Sequence, residues 1–543
     1  MPKYIFVVGG VMSGIGKGIA SSAIARILKD KGLKVTALKI DPYINVDAGT
    51  MNPTEHGEVF VLDDGYETDQ DMGNYERFLG ETLSEVNYMT TGRVYMEIIR
   101  RERNLEYKGK NVEVVPHVPM EVIRRITEAQ KLAQADVTLI EVGGTIGEYQ
   151  NIIFLEAARM MKHEHPGDVA IVMLSYLPIP HNIGEMKTKP TQYASRELNS
   201  AGLQADVILA RAEVALDAKR KEKIATFCNV KPERVISAPD VDSIYDVPLN
   251  YEADGLGDIL CEVLGLPKRP TNMAEWKAFV EKAKSSSKEV NIAVVGKYFD
   301  SGDFVLSDVY ISVLEALKTA SYHQGFKLKL SYLGSQKFET GETPLSVLDT
   351  YDGVLIPGGF GATGIEGKIK VIEYVRTHKI PYFGLCYGMQ LMVIEYARNV
   401  AGLAGAHTTE VDPNTKFPVI AVMESQKENV ATNKLGGTMR LGGYPALLRD
   451  GSIAAAAYGA PEVRERHRHR YEVNPQYIEQ IEKAGLVFSG RSPDGVLMEI
   501  AELPKEAHPF MLGTQFHPEF LSRPLTPHPL FTAFVRAAGE RVR

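Results

Sequence analysis

Cysteine is scarce in this chain: its 543 residues include three, Cys228, Cys261 and Cys386. Three thiols make no disulfide framework, and so few suit a reducing compartment. A surplus of positive charge is missing too. Lys and Arg number 61 against 69 Asp and Glu, for a formal net charge of -8. That balance argues against a general nucleic-acid binder, though it leaves room for local basic pockets that hold phosphates. No apolar run is long enough to cross a bilayer, and neither a short-period repeat nor a low-complexity tract is present. Met1 to Gly10 reads as a strand running straight into a loop, without a signal-peptide n-region or cleavage site, so a cytoplasmic location is expected. What remains is an ordinary globular composition, 44% hydrophobic and 24% charged, in a chain long enough for two or three domains with substantial cores.

The most informative segment is Gly384-Leu385-Cys386-Tyr387-Gly388-Met389-Gln390. Ile380 to Leu385 reads as a buried strand and Met389 to Tyr396 as a helix. A cysteine on a sharp strand-to-helix turn is held clear of the sheet, near the positive end of the helix, where a thiolate is stabilised. Two glycines remove the Cβ atoms that would clash in so tight a turn. A nucleophile of this kind needs a base and a group to orient it. Gly513-Thr514-Gln515-Phe516-His517-Pro518-Glu519 offers both. On an extended segment His517 and Glu519 would point to one face, with the carboxylate fixing the imidazole tautomer. Tyr351 to Ile356 reads as a strand running into Pro357-Gly358-Gly359-Phe360-Gly361, a loop whose N–H groups can form an oxyanion hole. Together these three elements resemble a class I glutamine amidotransferase domain, a family that hydrolyses glutamine to glutamate and ammonia through a thioester.

Both halves of the chain alternate β-branched runs with helical periods. The expected fold class is therefore α/β, with two doubly wound parallel-sheet domains. Strands are expected at Lys3 to Val8, Val35 to Ile40, Val137 to Val142, Val169 to Leu174, Val207 to Ala210 and Val235 to Ser237, and a further strand, Val290 to Gly296, opens the second half. Pro, Ser and charge cluster between residues 267 and 289, as in a linker. The expected domains are 1–266, 267–289 as linker, and 290–543.

In the first half, Gly9-Gly10-Val11-Met12-Ser13-Gly14-Ile15-Gly16-Lys17-Gly18 joins the first strand to a helix over Ile19 to Lys31. Loop amides and a helix N-terminus bind phosphate oxygens, and Lys17 can reach the β and γ phosphates. The strict Walker A pattern fails, because Gly18 stands where a Ser or Thr would hold Mg²⁺. Carboxylates must then do so, and Asp71 and Glu141 are the candidates.

Lys39 to Pro53, the following run through Asp63-Asp64-Gly65, and Lys187-Thr188-Lys189-Pro190-Thr191-Gln192 extend the resemblance to nearly the whole chain. It resembles the CTP synthases, which join a P-loop synthetase domain of the dethiobiotin-synthetase type to an amidotransferase domain. The resemblance implies that ATP phosphorylates UTP at O4 and that ammonia, released from glutamine and passed between sites, displaces the phosphate to give CTP. It places Gly14, Ile15, Gly16, Lys17, Gly18, Ile19 and Asp71 at ATP, and Lys17 and Lys39 at the transferring phosphoryl group. Mg²⁺ would be held by Asp71 and Glu141. UTP, or CTP as feedback inhibitor, would be bound by Ser13, Glu148, Tyr149, Gln150, Lys187, Thr188, Lys189, Pro190, Thr191, Gln192 and Lys223. Glutamine would be bound by Gly359, Tyr387, Gly388, Met389, Gln390, Glu410 and Arg470, beside Cys386, His517 and Glu519. His56 matches a position near the ammonia route. GTP activation and a homotetramer are implied as well, with no nucleic acid or membrane partner.

One departure stands out. The family usually reads Gly-Asp-Ile-Glu where this chain has Gly147-Glu148-Tyr149-Gln150. That places altered CTP feedback among the expectations. By composition alone, Arg464 to Tyr471 reads as a solvated charge run or a nucleic-acid patch. Other amidoligases, such as cobyrinic acid amidating enzymes, share the two-domain plan but lack the Lys39 to Gly73 stretch. A filament-forming protein with dead sites would not need the complete sets of site residues found here.

Overall fold

Runs of β-branched residues, buried on both faces, build a parallel sheet at the centre of the first unit. The computed structural model describes residues 1–182, 184–297, 307–423, 426 and 436–541. It divides into two compact units, Met1–Ala48 with Asp71–Val280, and Gly49–Gln70 with Glu281–Arg543.

The first unit holds β1 (Lys3–Gly9), β2 (Val35–Asp41), β3 (Tyr88–Thr90), β4 (Val137–Val142), β5 (Val169–Tyr176), β6 (Val207–Ala212) and β7 (Val235–Pro239). They pair in the order β3-β2-β4-β1-β5-β6-β7, every pair parallel. β1 is central, so the loop after it opens at a topological switch point, where such sheets bind ligands. The helix after that loop spans Lys17–Asp30.

The stretch expected as a linker is mostly part of this unit. Helix Ala274–Ser285 buries Trp276, Phe279 and Val280. The Trp276 indole donates to the Tyr245 carbonyl (2.8 Å), and its ring packs beside Phe78 and Phe279. Arg26 lies over the same ring, 4.9 Å from its centroid. Proline and charge mark the chain entering this helix, but the aromatic contacts that fix it come from far away in sequence.

The second unit is built on β8 (Lys288–Gly296), β9 (Phe326–Gly334), β10 (Gly353–Ile356), β11 (Tyr382–Leu385), β12 (Arg440–Leu448), β13 (Glu462–His469), β14 (Val487–Arg491), β15 (Met498–Glu502) and β16 (Met511–Thr514). The order is β9-β8-β10-β11-β16-β15-β14-β12-β13. The architecture is α/β as expected, but the sheet is mixed. It is parallel from β9 to β16 and antiparallel from β16 to β13.

β13 carries Arg464 to His469, so the segment that looks like a solvated charge run is a strand with Glu465, Arg466, His467 and His469 buried. Its charges are matched by residues 49–70, an N-terminal stretch of sequence that packs with the second unit. That stretch forms a hairpin of Val59–Val61 and Glu67–Asp69. Arg466 donates to the Val61 carbonyl (3.1 Å), Arg468 pairs with Glu67 (2.8 Å) and Arg464 with Asp63 (3.0 Å). Phe60 meets Phe520 edge-on, ring centroids 5.0 Å apart. Among the described residues no helix is long and apolar enough to cross a membrane.

Trp276 is the chain's one tryptophan, so its emission follows the unfolding of the first unit. Phe279→Ala removes a buried ring beside it and should cost about 3 kcal/mol. The Trp276 emission midpoint in guanidinium should move to lower denaturant; an unmoved midpoint would show that this helix does not stabilise the unit.

Candidate active sites

Adjacent parallel strands bring the distant catalytic candidates of the second unit together. β11 pairs with β16, Leu385 opposite Thr514. Cys386 leaves the end of one strand and His517 follows the end of the other. The Cys386 N–H donates to the Thr514 carbonyl (2.6 Å). Cys386 sits at φ 48°, ψ −96° and caps helix Tyr387–Asn399. A non-glycine residue in this conformation is held there by its surroundings. The flanking glycines answer to crowding. A Cβ on Gly384 would lie 2.7 Å from the Gly388 carbonyl carbon, and one on Gly388 would overlap the Ile356 carbonyl.

His517 Nδ1 lies 2.7 Å from Glu519 Oε1, both side chains buried. Glu519 is not on an extended segment. It belongs to the 3-10 turn Pro518–Leu521, which His517 precedes. Proline after His517 starts that turn and swings the carboxylate back to the ring. Burial pushes the His517 pKa down, but the Glu519 carboxylate and Cys386 outweigh it and raise it to about 10. Gly358 lies against both groups: a Cβ there would sit 2.8 Å from His517 Cε1 and 3.7 Å from Cys386 Cβ.

A cavity of about 470 Å³ opens over these residues, lined among others by Cys386, His517, Gly359, Gln390, Glu410 and Arg470. Glu410 accepts the Gly361 N–H (2.7 Å), and burial raises its pKa. Arg470 donates to Gln426 (2.7 Å) and Thr438 (3.2 Å). Tyr387 bonds the Gly361 carbonyl (3.0 Å) and steadies the glycine loop. Met389 is a core residue: a Cβ on Gly513 would be 2.8 Å from its own Cβ. Pro53 and Glu58 line the cavity while half-buried His56, on the turn Pro53–His56 between them, does not.

In the first unit, β2 and β4 pair with Lys39 opposite Glu141. The Lys39 ammonium pairs with Glu141 (2.8 Å), with Asp71, and at 3.8 Å with Asp41. The Tyr75 hydroxyl donates to the other Glu141 oxygen. Burial raises the Glu141 pKa, and the Lys39 charge opposes it. Lys17 is buried and donates to the Gly144 carbonyl (2.6 Å). Burial, then the Lys39 charge, hold its pKa low, while Glu141 and Asp71 pull the other way. Gly18 explains the broken Walker A pattern: a Cβ there would fall on the Asp71 carboxylate. Asp71 fills the space that a Ser or Thr side chain would take. Two carboxylates converging on one cation beside a phosphate-type loop fit Mg²⁺, which takes one or two carboxylates together with phosphate oxygens.

Comparison with known proteins bears on both halves of the chain. Residues 3–266 match the family model described as CTP synthase N-terminus, and residues 305–537 match glutamine amidotransferase class-I. The chain is 49% identical to the CTP synthase of Thermococcus gammatolerans, across 100% of this chain and 99% of that one. It is 50% identical to the CTP synthase of Pyrococcus furiosus, across 99% and 98%. It is 48% identical to that of Symbiobacterium thermophilum, across 99% of each. The chain belongs to the CTP synthase family.

The remaining positions expected from the sequence to meet nucleotides are spread around the first unit. Ser13 and Gly14 are exposed on the loop, while Ile15 and Gly18 are buried and Ile19 is half-buried. Lys189 and Pro190 open helix Lys189–Ser200, and Lys187 pairs with Glu185 (2.7 Å). Thr191 is buried, accepting from Ser175 (2.8 Å), and Gln192 donates to Thr188 (3.2 Å). Lys223 is exposed on helix Ala218–Cys228. Glu148 accepts from the Thr145 hydroxyl and its N–H (3.1 Å), and Gln150 donates to Glu148 (3.0 Å). Tyr149 is 96% exposed, free of the packing that orders its neighbours.

Sequence reasoning missed a second cavity, about 380 Å³, lined by Gly16, Ile19, Arg211, Asp240, Val241 and Tyr251 among others. Arg211 donates to the Ile15 carbonyl (2.8 Å) and pairs with Asp240 (3.1 Å). The signal was available: Arg211 and Asp240 sit at the C-terminal ends of β6 and β7, the ligand edge of the sheet.

His517 gives a pH-dependent stability term. Its folded pKa, about 10, lies above the ordinary 6.5. Its stabilisation is complete below about pH 6.5 and is lost as pH rises towards 10. The thermal stability advantage of the parent protein over Glu519→Gln should be largest near pH 6 and shrink towards pH 10. A constant or growing advantage would contradict the ion-paired imidazolium.

Proposed function

We propose that the protein makes CTP from UTP, with ATP as phosphoryl donor and glutamine or ammonia as nitrogen source. One observation carries the reading. A Cys386–His517–Glu519 arrangement in one unit and a Lys17, Lys39, Asp71, Glu141 cluster in the other occur in a chain whose full length aligns with CTP synthases.

In the second unit, Cys386 and His517 rest as a thiolate–imidazolium pair, the thiol proton having passed to His517. The thiolate attacks the glutamine carboxamide carbon, and Gly358 and Gly359 amides stabilise the oxyanion. The C–N bond breaks, His517 returns the proton to nitrogen, and ammonia leaves a thioester. Water, deprotonated by His517, then hydrolyses the thioester to glutamate and restores the thiolate–imidazolium pair. Glu410 suits the substrate ammonium and Arg470 its carboxylate.

In the first unit, the γ-phosphoryl group of ATP passes to O4 of UTP, which turns a poor leaving group into a good one. Ammonia adds at C4 and phosphate departs. Lys17 and Lys39 neutralise charge on the phosphoryl group. Asp71 and Glu141 would hold Mg²⁺, which supplies further charge neutralisation when bound. The cavity beside Gly16, next to the loop that takes phosphates, suits the adenine of ATP. Ser13, Lys187 to Gln192 and Lys223 suit the triphosphate of UTP or CTP. The reading extends to GTP activation, CTP feedback, His56 near the ammonia route, a homotetramer and a cytoplasmic location, all carried by family membership.

Cys386→Ala separates the two chemistries. Glutamine-dependent CTP synthesis should fall at least about a thousandfold, while synthesis from ammonium continues. Loss of both in a folded protein would refute the division of labour. Gln150→Glu restores a carboxylate that CTP synthases usually have. Gain of a charged hydrogen bond should lower the CTP concentration for half-inhibition by about tenfold, read from a CTP titration. An unchanged curve would show that this position does not set feedback.

A further inference from the structure

Gln515 is fully buried, 1% exposed, immediately after β16. Its N–H donates to the Glu499 carbonyl (2.8 Å), which fixes its backbone. Its side-chain Nε2 lies 3.6 Å from Cys386 Sγ. Its Oε1 accepts from Gln390 Nε2 (3.1 Å), and the same Gln390 nitrogen donates to the Tyr471 carbonyl (2.8 Å). Gln390 is also buried, 3% exposed.

The direction of this chain follows from its far end. A main-chain carbonyl can only accept, so Gln390 must turn its NH₂ towards Tyr471. That NH₂ then faces Gln515, which must answer with its oxygen. Gln515 is left presenting N–H to the sulfur. Flipping either amide would set two donors or two acceptors against each other in a buried space, which is costly. The amide orientation is therefore set by the Tyr471 backbone.

The sulfur has two kinds of neighbour. As a thiol it can donate to the Arg468 carbonyl, 3.8 Å away. As a thiolate it would be repelled by that carbonyl and needs donors instead. We propose that Gln515 is a further catalytic residue of the glutaminase half: its amide N–H stabilises the Cys386 thiolate, and Gln390 is the positioning residue that locks the amide. The proposal rests on the reading of Cys386 as nucleophile. The charged and titratable groups that line the cavity with the sulfur are His517 with Glu519 behind it, Arg468, His469, Arg470 and Tyr471 from β13 and its continuation, and Glu58, Tyr310 and Glu410. Gln515 does not titrate, so its N–H faces the sulfur at every pH. It thus acts before His517 changes charge and supports the thiolate without holding a proton that ammonia must take.

The test is the pH dependence of Cys386 alkylation by iodoacetamide in the full-length protein, followed by peptide mass so that Cys228 and Cys261 are counted separately. Gln515→Met keeps the side-chain length and removes the donor. Gln515→Glu puts an acceptor against the sulfur. The alkylation midpoint should rise by about one pH unit in the first and further in the second, with about tenfold slower alkylation at pH 7 in the first. Gln390→Met, which frees the Gln515 amide without touching it, should shift the midpoint part of the way; it also serves if the Gln515 variants lose their thermal transition. Midpoints unchanged in folded variants would overturn the proposal and leave Cys386 as nucleophile. A parent protein whose Cys386 does not react below pH 9 would overturn both.

Discussion

One main-chain hydrogen bond sets up the second unit: Cys386 N–H to the Thr514 carbonyl, 2.6 Å, continuing the pairing of β11 with β16. It ends one strand where the next begins its turn towards His517. The tight elbow that follows puts Cys386 at positive φ, and glycine at 384 and 388 is the condition for closing it. The strained residue, the base and the glycine loop are thus fixed by sheet geometry before any ligand is involved. Loops carry the chemistry, and a rigid parallel core positions them.

The first unit depends on a comparable constraint made of charge. Lys39, Glu141, Asp71 and Asp41 share one buried neighbourhood, with Lys17 close enough for its pKa to feel them. Isolated charges of this kind would be expelled or neutralised by burial. Grouped, they satisfy one another and leave a site of hard oxygen donors and ammonium groups suited to phosphates. Gly18 belongs to the same constraint, since its missing side chain makes room for Asp71.

Much of this was legible in the sequence because it is local. The Gly-x-Cys-x-Gly turn, the β-branched runs of β1, β2 and β4, and the loop ending at Lys17 announce themselves within a dozen residues. Glu141 was also legible as a strand-end group, although its pairing with Lys39 depends on a register that only the folded sheet supplies. Four features were not legible. Residues 49–70 join the second unit through arginines some four hundred positions away, and Arg464 to His469 look solvated until those partners are known. The antiparallel half of the second sheet hides because β13, Glu462–His469, carries charged and polar residues on both faces and shows no apolar alternation. Glu519 reaches His517 through a turn that proline starts, not through strand alternation. Gln515 gave no signal, since a glutamine beside a histidine is informative only once its amide is seen facing sulfur.

The measurement that bears most directly on the central claim is CTP formation from UTP, ATP and Mg²⁺, followed by absorbance, with glutamine or ammonium as nitrogen donor. The structure and its family membership lead to product with both donors. A folded protein that makes no CTP with either would contradict the assignment of both sites.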